Sequence, residues 1–198
     1  MTSSSGRLSL LATSVAATHA VAGALAALSR PGDVIVLAGE MGAGKTAFAQ
    51  GFGRALGVTE PITSPTFTIV HSYDTPARRG RKLTLHHADI YRLEQFAEVA
   101  DLAFGELAEF DGIVLVEWGD VVAGALGEHL EVRLDLPPVD VAAEVLGAHD
   151  GTKEGTDDGT DDAGLDSRCI TVSAAGSTWA RRWPALVSAL GDLGLESC

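Results

Sequence analysis

The octapeptide GEMGAGKT, residues 39–46, puts Gly39, Gly44, Lys45 and Thr46 into the pattern G-x-x-x-x-G-K-[ST]. Those residue types at that spacing suit phosphate binding. Glycines let backbone N–H groups approach phosphate oxygens, and a helix opening at Thr46 adds a favourable dipole. Lys45 would project into the ligand and pair with β- and γ-phosphates. The Thr46 hydroxyl would bind Mg²⁺. The plainer reading is a glycine-rich turn before a helix. The apolar run before the loop and the helical pattern after it favour the phosphate loop.

Such a loop needs an acid on the metal side, at the end of a neighbouring buried strand. IVLVEW supplies Glu117. A carboxylate there is costly unless paired or metal-bound, and ligands of open α/β sheets bind at that edge. A structural ion pair is the alternative. Asp89, in HHADIYRL, ends another strand and is the second candidate; a turn or helix-cap aspartate competes with it. Thr66, in SPTFT, follows Ser64-Pro65 and could sense a γ-phosphate from a mobile loop, or simply enter a strand. His86 and His87 are adjacent, so on a strand they point to opposite faces. With one nearby acid and no third ligand, a zinc site is not expected. Trp118 could stack near the site or fill the core.

The elements that must position these residues can be read from periodicity and turn chemistry. Residues 7–11 form a candidate edge strand and 14–28 a helix stopped by Pro31-Gly32. DVIVLA, residues 33–38, reads as a buried strand. Residues 46–56 read as a helix, with Gly57 suited to its C-terminal end. PITSPTFTIVHSY is a loop leading into a strand, and LTLHHADIYRL contains a second one. Residues 94–110 are helical in parts, and GIVLVEW at 112–118 is another buried strand. HLEVRLDL and RCITVSAAG alternate as strands, and 178–190 is expected to be one helix despite Pro184.

Composition narrows the function classes. The 198 residues carry 14 Lys and Arg against 27 Asp and Glu, a net charge of −13. Bare nucleic acid should therefore not bind tightly, since few cations can displace its counterions. Cys169 and Cys198 belong to no C-x-x-C pair, so neither a metal site nor a disulfide is expected, and a reducing cytosol is the simple reading. Residues 8–29 lack any acid, lysine or arginine and could pass for a signal peptide. An Ala-rich helix packed on a sheet fits better, because the segment has few large apolar residues and the phosphate loop follows directly. No membrane association is expected. GTKEGTDDGTDD, residues 151–162, is a Gly-Thr-led tetrapeptide written three times, as GTKE and then GTDD twice. It offers no apolar side chain to a core and reads as a disordered hairpin loop at about 148–166. Calcium binding is the sharper alternative, but the spacing fits no EF-hand or nonapeptide repeat.

A GTPase would carry an N/T-K-x-D segment; the lysines Lys45, Lys82 and Lys153 fit none. A kinase of a small metabolite stays open, although Arg78, Arg79 and Arg81 form the only basic cluster and sit in a polar loop. A nucleotide-gated scaffold is a third possibility. In order and spacing, GEMGAGKT, TSPTFTIVHSY, HHADIYRL and IVLVEWGD resemble the bacterial TsaE family (formerly YjeE), from about Thr18 to Thr171 without the acidic insertion. The resemblance implies a small cytoplasmic ATPase, using ATP and Mg²⁺, that is required to make threonylcarbamoyladenosine in tRNA. It implies action with the TsaB–TsaD pair, and contact with tRNA only through that complex. It implies Gly42, Ala43, Gly44, Lys45 and Thr46 as phosphate contacts, with Glu40 and Met41 in the same loop. Thr46 and Glu117 would be Mg²⁺ ligands. Asp89 would lie near the γ-phosphate and act with Lys45 and Glu117 in catalysis. Thr18 and Arg168 would flank the base. Elements and resemblance together imply an α/β, P-loop NTPase-like three-layer domain spanning residues 1–198. Its central sheet would be largely parallel, with an antiparallel C-terminal hairpin.

Overall fold

A computed structural model describes residues 6–65, 69–76, 83–91, 107–108, 111–121, 126–137 and 166–198. Thr66, the arginine cluster, the acidic repeat and most of residues 94–110 lie outside the described residues. The strands are β1 (Arg7–Ala12), β2 (Val34–Ala38), β3 (Val70–Asp74), β4 (Thr84–Asp89), β5 (Gly112–Glu117), β6 (His129–Asp135) and β7 (Arg168–Ala175). The helices are α1 (Val15–Leu28), α2 (Lys45–Leu56), α3 (Ser177–Ala180) and α4 (Trp183–Gly191).

All seven strands form one sheet in the order β1-β7-β6-β2-β5-β4-β3. Only the central four, β6-β2-β5-β4, run parallel. β3 pairs antiparallel with β4, β1 with β7, and β6 with β7. The expected C-terminal hairpin is therefore present, but the sheet is mixed, with half of its six pairings antiparallel. At the β3–β4 end the reason is chain length. Residues 75–83 link the two strands, and a parallel crossover needs a dozen or more.

β2 and β5 are buried along their whole length, as a strand covered on both faces must be. One face carries Ile35, Leu37, Leu85, Ile113 and Leu115 and packs against α1 and α2. The other carries Val34, Ala88, Val114 and Val116, with Ala108 above them. The uncharged α1 is a packed helix. Ser14 caps it by accepting from the Ala17 N–H at 3.1 Å, and Val21, Ala22, Leu25 and Ala26 are buried. Its backbone lies so close to α2 that a Cβ on Gly51 would stand 2.7 Å from His19 Cα. Among the described residues no helix is long and apolar enough to cross a membrane.

Two expectations at the C-terminal end are corrected. Residues 178–190 form two helices, because Pro184 has no N–H to continue an incoming helix and suits the first turn of a new one. Cys169 and Cys198 are joined by a disulfide, with Cα atoms 5.9 Å apart. After α4 the chain returns beside β1, where the Leu11 N–H donates to the Glu196 carbonyl at 2.8 Å, and this brings Cys198 over β7. Spacing alone does not show that return.

α4 is also anchored at its start. Arg182 donates to Asp33 through Nη1 at 2.7 Å and Nη2 at 2.6 Å, and Nη1 also reaches the Leu28 carbonyl at 2.9 Å. Both side chains are buried, and the Arg30 N–H donates to Asp33 Oδ2 at 2.7 Å. The pair fixes α4 to the turn between α1 and β2.

Glu128 holds α3 in a comparable way at the surface. Its carboxylate accepts from the backbone N–H and hydroxyl of both Ser177 and Thr178. The Thr178 hydroxyl first, then the Ser177 donors, push its carboxyl down to about 2 from 4.5. A depressed carboxyl stabilises the fold above its ordinary value. That contribution is lost as pH falls from about 4.5 through about 2. Glu128→Gln is therefore expected to flatten the acid limb of the stability curve in that window, with no change of slope above pH 5. Urea unfolding at a series of pH values measures this.

Candidate functional site: a phosphate-loop cleft

β2 ends at the centre of the sheet, between β5 and β6, and the chain turns over its end into α2. Gly39 has φ of 131°, and a Cβ there would run into the Leu134 carbonyl. Gly44, the residue capping α2, has φ of 99°. Both positions require glycine. The first-turn N–H groups of α2, at Lys45, Thr46 and Ala47, have no carbonyl one turn back within the helix. These residues line a cleft of about 450 Å³ with Met41, Gly42, Gly44, Ser64, Asp89, Tyr91, Glu117 and Trp118.

The acids arrive by strand register. In the parallel β4–β5 pair, Leu85 opposes Ile113, His87 opposes Leu115 and Asp89 opposes Glu117. This column of side chains faces α2. It is apolar at its base, where Leu85, Ile113 and Leu115 join the core, and polar at the end that meets the loop. Glu117 is 3 % exposed. Its Oε1 accepts from the Thr46 hydroxyl at 2.9 Å and sits 2.9 Å from His87 Nε2. Asp89 Oδ2 accepts from the Ser64 hydroxyl at 2.8 Å, and Oδ1 accepts from the Tyr91 N–H at 3.0 Å. The turn role considered for Asp89 is thus real, and it coexists with a place in the cleft.

Lys45 lines the cleft and is held within its own loop. It is 5 % exposed, and its ammonium donates to the Gly39 and Glu40 carbonyls, each at 2.7 Å. It also lies 3.7 Å from the Trp118 ring centroid, within range of a cation–π attraction. Burial pushes its pKa below the ordinary value, partly offset by Glu117, Asp89 and Asp120 in that order. Trp118 therefore belongs to the cleft. Its φ of 64° is rare for a bulky residue, and Tyr91 packs against it with ring centroids 4.8 Å apart.

Arg168 reaches the loop from β7. Its Nε donates to the Ala43 carbonyl at 2.9 Å and Nη2 to the Gly42 carbonyl at 3.2 Å, bracing the backbone that Gly44 bends. Glu40, Met41, Gly42 and Ala43 also line a second hollow of about 310 Å³ with Leu134, Asp135 and Leu136. Thr18 is buried in α1 and lines neither hollow. Thr66 lies outside the described residues. Sequence reasoning missed Ser64 and His87 as members of the site. For His87 a signal existed: it stands two residues before Asp89, on the same face of the strand.

The donor set suits a hard cation. The Thr46 hydroxyl and the Glu117 carboxylate meet at 2.9 Å, and Glu117 Oε2 has no partner among the described residues. Asp89 adds a second carboxylate. Among the described residues no group of three or more His, Cys, Asp or Glu could hold a metal by itself. Mg²⁺ arriving with phosphates needs only one or two protein oxygens.

The family model described as threonylcarbamoyl adenosine biosynthesis protein TsaE matches residues 12–140. The tRNA threonylcarbamoyladenosine biosynthesis protein TsaE of Bacillus subtilis is 43 % identical over 105 residues, which are 53 % of this chain and 62 % of that protein. The match thus spans less than two thirds of the Bacillus protein. The protein of the same name from Streptomyces coelicolor is 40 % identical over 123 residues, 61 % of this chain and 80 % of that one. The crystal structure of Bacillus subtilis YdiB superposes with a TM-score of 0.58 at 28 % identity, covering 95 % of this chain and 96 % of that one. With its loop, strand-end acids and bracing arginine on one mixed sheet, this chain belongs to the TsaE family of threonylcarbamoyl adenosine biosynthesis proteins.

Proposed function

We propose that the chain is a Mg²⁺-dependent ATPase serving the threonylcarbamoyladenosine modification of tRNA, acting with the TsaB–TsaD pair in the cytoplasm and meeting tRNA only through that complex. The observation that carries the reading is the 2.9 Å hydrogen bond between Thr46 and Glu117, beside the first turn of α2. The mixed sheet then serves as a P-loop NTPase-like domain. In this reading the loop N–H groups from Gly42 to Thr46 hold the phosphates. Lys45 exchanges its loop carbonyls for phosphate oxygens. Thr46 and Glu117 hold Mg²⁺, which neutralises phosphate charge when bound. Asp89, fixed from two sides, orients the attacking water. Thr66 answers to the γ-phosphate. Glu40 and Met41 border the nucleotide from the second hollow, Arg168 from the loop carbonyls it braces, and Thr18 is assigned to the base side by family resemblance alone. The Cys169–Cys198 bond is the one described feature that argues for an oxidising setting instead.

The test is purified protein with labelled ATP, with and without the TsaB–TsaD pair. Phosphate released to water, faster with the pair, is the expected result. Phosphate on a metabolite would instead support the kinase, and binding without turnover the scaffold. Bare tRNA is expected to bind weakly, given the net charge of −13.

The two acids should separate in the same system. Glu117→Ala is expected to lose Mg²⁺-dependent nucleotide binding by about tenfold or more, as removal of a metal-side group does. Asp89→Ala should keep binding and lose about 10²–10⁴-fold in hydrolysis, the range for a positioned base. Nucleotide titrations with and without Mg²⁺ check both. Identical behaviour of the two variants would show that the division of roles is wrong.

A further inference from the structure

We infer that His87 is a positioning residue for the Mg²⁺ ligand Glu117, its Nε2–H fixing one carboxylate oxygen so that the other faces the cation. The inference rests on the ATPase reading above and concerns how its metal site is held.

Four observations converge. His87 is fully buried, and its Nε2 lies 2.9 Å from Glu117 Oε1. A carboxylate oxygen can only accept, so Nε2 carries the hydrogen of that bond. The ring's other nitrogen, Nδ1, is buried with no partner among the described residues. A core histidine placed for its own satisfaction would use both nitrogens. This one uses only the nitrogen that meets Glu117. Finally, Oε1 also takes the Thr46 hydroxyl at 2.9 Å, so two donors converge on one oxygen while Oε2 has none among the described residues.

Neighbouring geometry explains why a positioning group is needed. Glu117 is the last residue of β5, and Trp118 after it has φ of 64°, so regular strand geometry ends at the carboxylate. A glutamate has three side-chain torsions to restrain, and β5 fixes none beyond the Cα direction. His87 sits on β4 two register positions below Asp89, which opposes Glu117, and so meets the glutamate diagonally from the adjacent strand. The rigid ring reaches across that diagonal. Its neighbour His86, on the opposite face, bonds to the Ser72 hydroxyl at 2.8 Å and takes no part.

The test uses the full chain, a non-hydrolysable ATP analogue and a Mg²⁺ titration. His87→Leu should raise the Mg²⁺ concentration for half-maximal analogue binding by about 10–100-fold, the range for groups that orient metal ligands. Analogue binding in chelator should stay within about twofold, because the loop N–H groups are untouched. His87→Gln, whose amide can place a donor near the Nε2 position, should recover most of the loss. His87→Asn, whose shorter amide falls short of Glu117, should not. The Gln and Asn pair decides the matter even if the leucine variant does not fold. A Mg²⁺ titration of His87→Leu or His87→Asn that superposes on the wild type overturns the inference and leaves the ATPase reading standing. Equal losses for Gln and Asn at matched melting temperatures also overturn it, since packing rather than the donor would then matter. Wild-type binding that ignores Mg²⁺ removes the ATPase reading, and the inference with it.

Discussion

Lys45→Ala is expected to reduce ATP hydrolysis by about 10²–10³-fold, the usual cost of deleting a single preorganised charge-stabilising donor. Among the described residues lining the phosphate-loop cleft, Lys45 is the only cation. Glu117 and Asp89 line the same cleft from adjacent strands, so without the ammonium an incoming triphosphate meets two carboxylates and no cation among the described lining residues. Nucleotide affinity should fall with the rate. Stability should change little, for two opposing reasons. The variant loses hydrogen bonds to the Gly39 and Glu40 carbonyls, each worth about 1.5–3 kcal/mol for a charged donor. It also no longer holds an ammonium at 5 % exposure, which itself costs several kcal/mol. Both carbonyls sit in a loop beside an open cleft, where water can replace the lysine. Turnover assays and a thermal melt on the same preparation separate the effects. Unchanged turnover would remove the phosphate-loop assignment.

The largest loss of stability is expected far from the cleft, at the Asp33–Arg182 pair. Arg182→Met should cost about 3–5 kcal/mol, because it strands a buried carboxylate. At about 2–4 °C per kcal/mol for a chain of this size, the melting temperature should fall by about 6–20 °C. Hydrolysis by the folded fraction should be unchanged, since Asp33 precedes β2 and the phosphate loop follows its other end. Adding Asp33→Leu should restore part of the loss, because a buried ion pair gives little over packed apolar groups. Recovery should be incomplete. The Arg30 N–H and the Leu28 carbonyl each lose a partner in the double variant, and Trp179 loses the guanidinium 3.9 Å from its ring. Calorimetry of the single and double variants gives the coupling. A melting temperature for Arg182→Met within 2 °C of the wild type would contradict the role given to the pair.

The sequence was most legible where one strong local rule acted alone. VIVLA and GIVLVE are continuous apolar runs and became the buried strands β2 and β5. Their adjacency, together with the loop pattern, is enough to bring Thr46 to Glu117. Adjacent histidines on a strand had to face apart, and they do. Legibility failed where distant segments meet. Antiparallel pairing at the sheet edges depends on chain direction, which hydrophobic pattern does not encode. The Cys169–Cys198 bond depends on where the tail goes after α4. Arg168, implied by resemblance to flank a nucleotide base, also braces the loop carbonyls of Gly42 and Ala43, a contact across the fold that its local sequence does not show. Lys45 was expected to project into the ligand; it lines the cleft, and the carbonyls of its own loop also hold its ammonium. Which backbone groups a long side chain meets is set by tertiary approach and not by local sequence.

The bond between Cys169 and Cys198 makes a covalent ring of the last part of the chain, enclosing most of β7 together with α3 and α4. A protease that cuts one peptide bond between residues 170 and 197 therefore releases nothing; the fragments stay joined until a thiol reductant acts. Both ends of the cut segment remain tethered near Cys169, so Arg182 can find Asp33 again as an intramolecular event at high effective concentration. For this region, nicking and unfolding become separate events, and a reductant is what couples them.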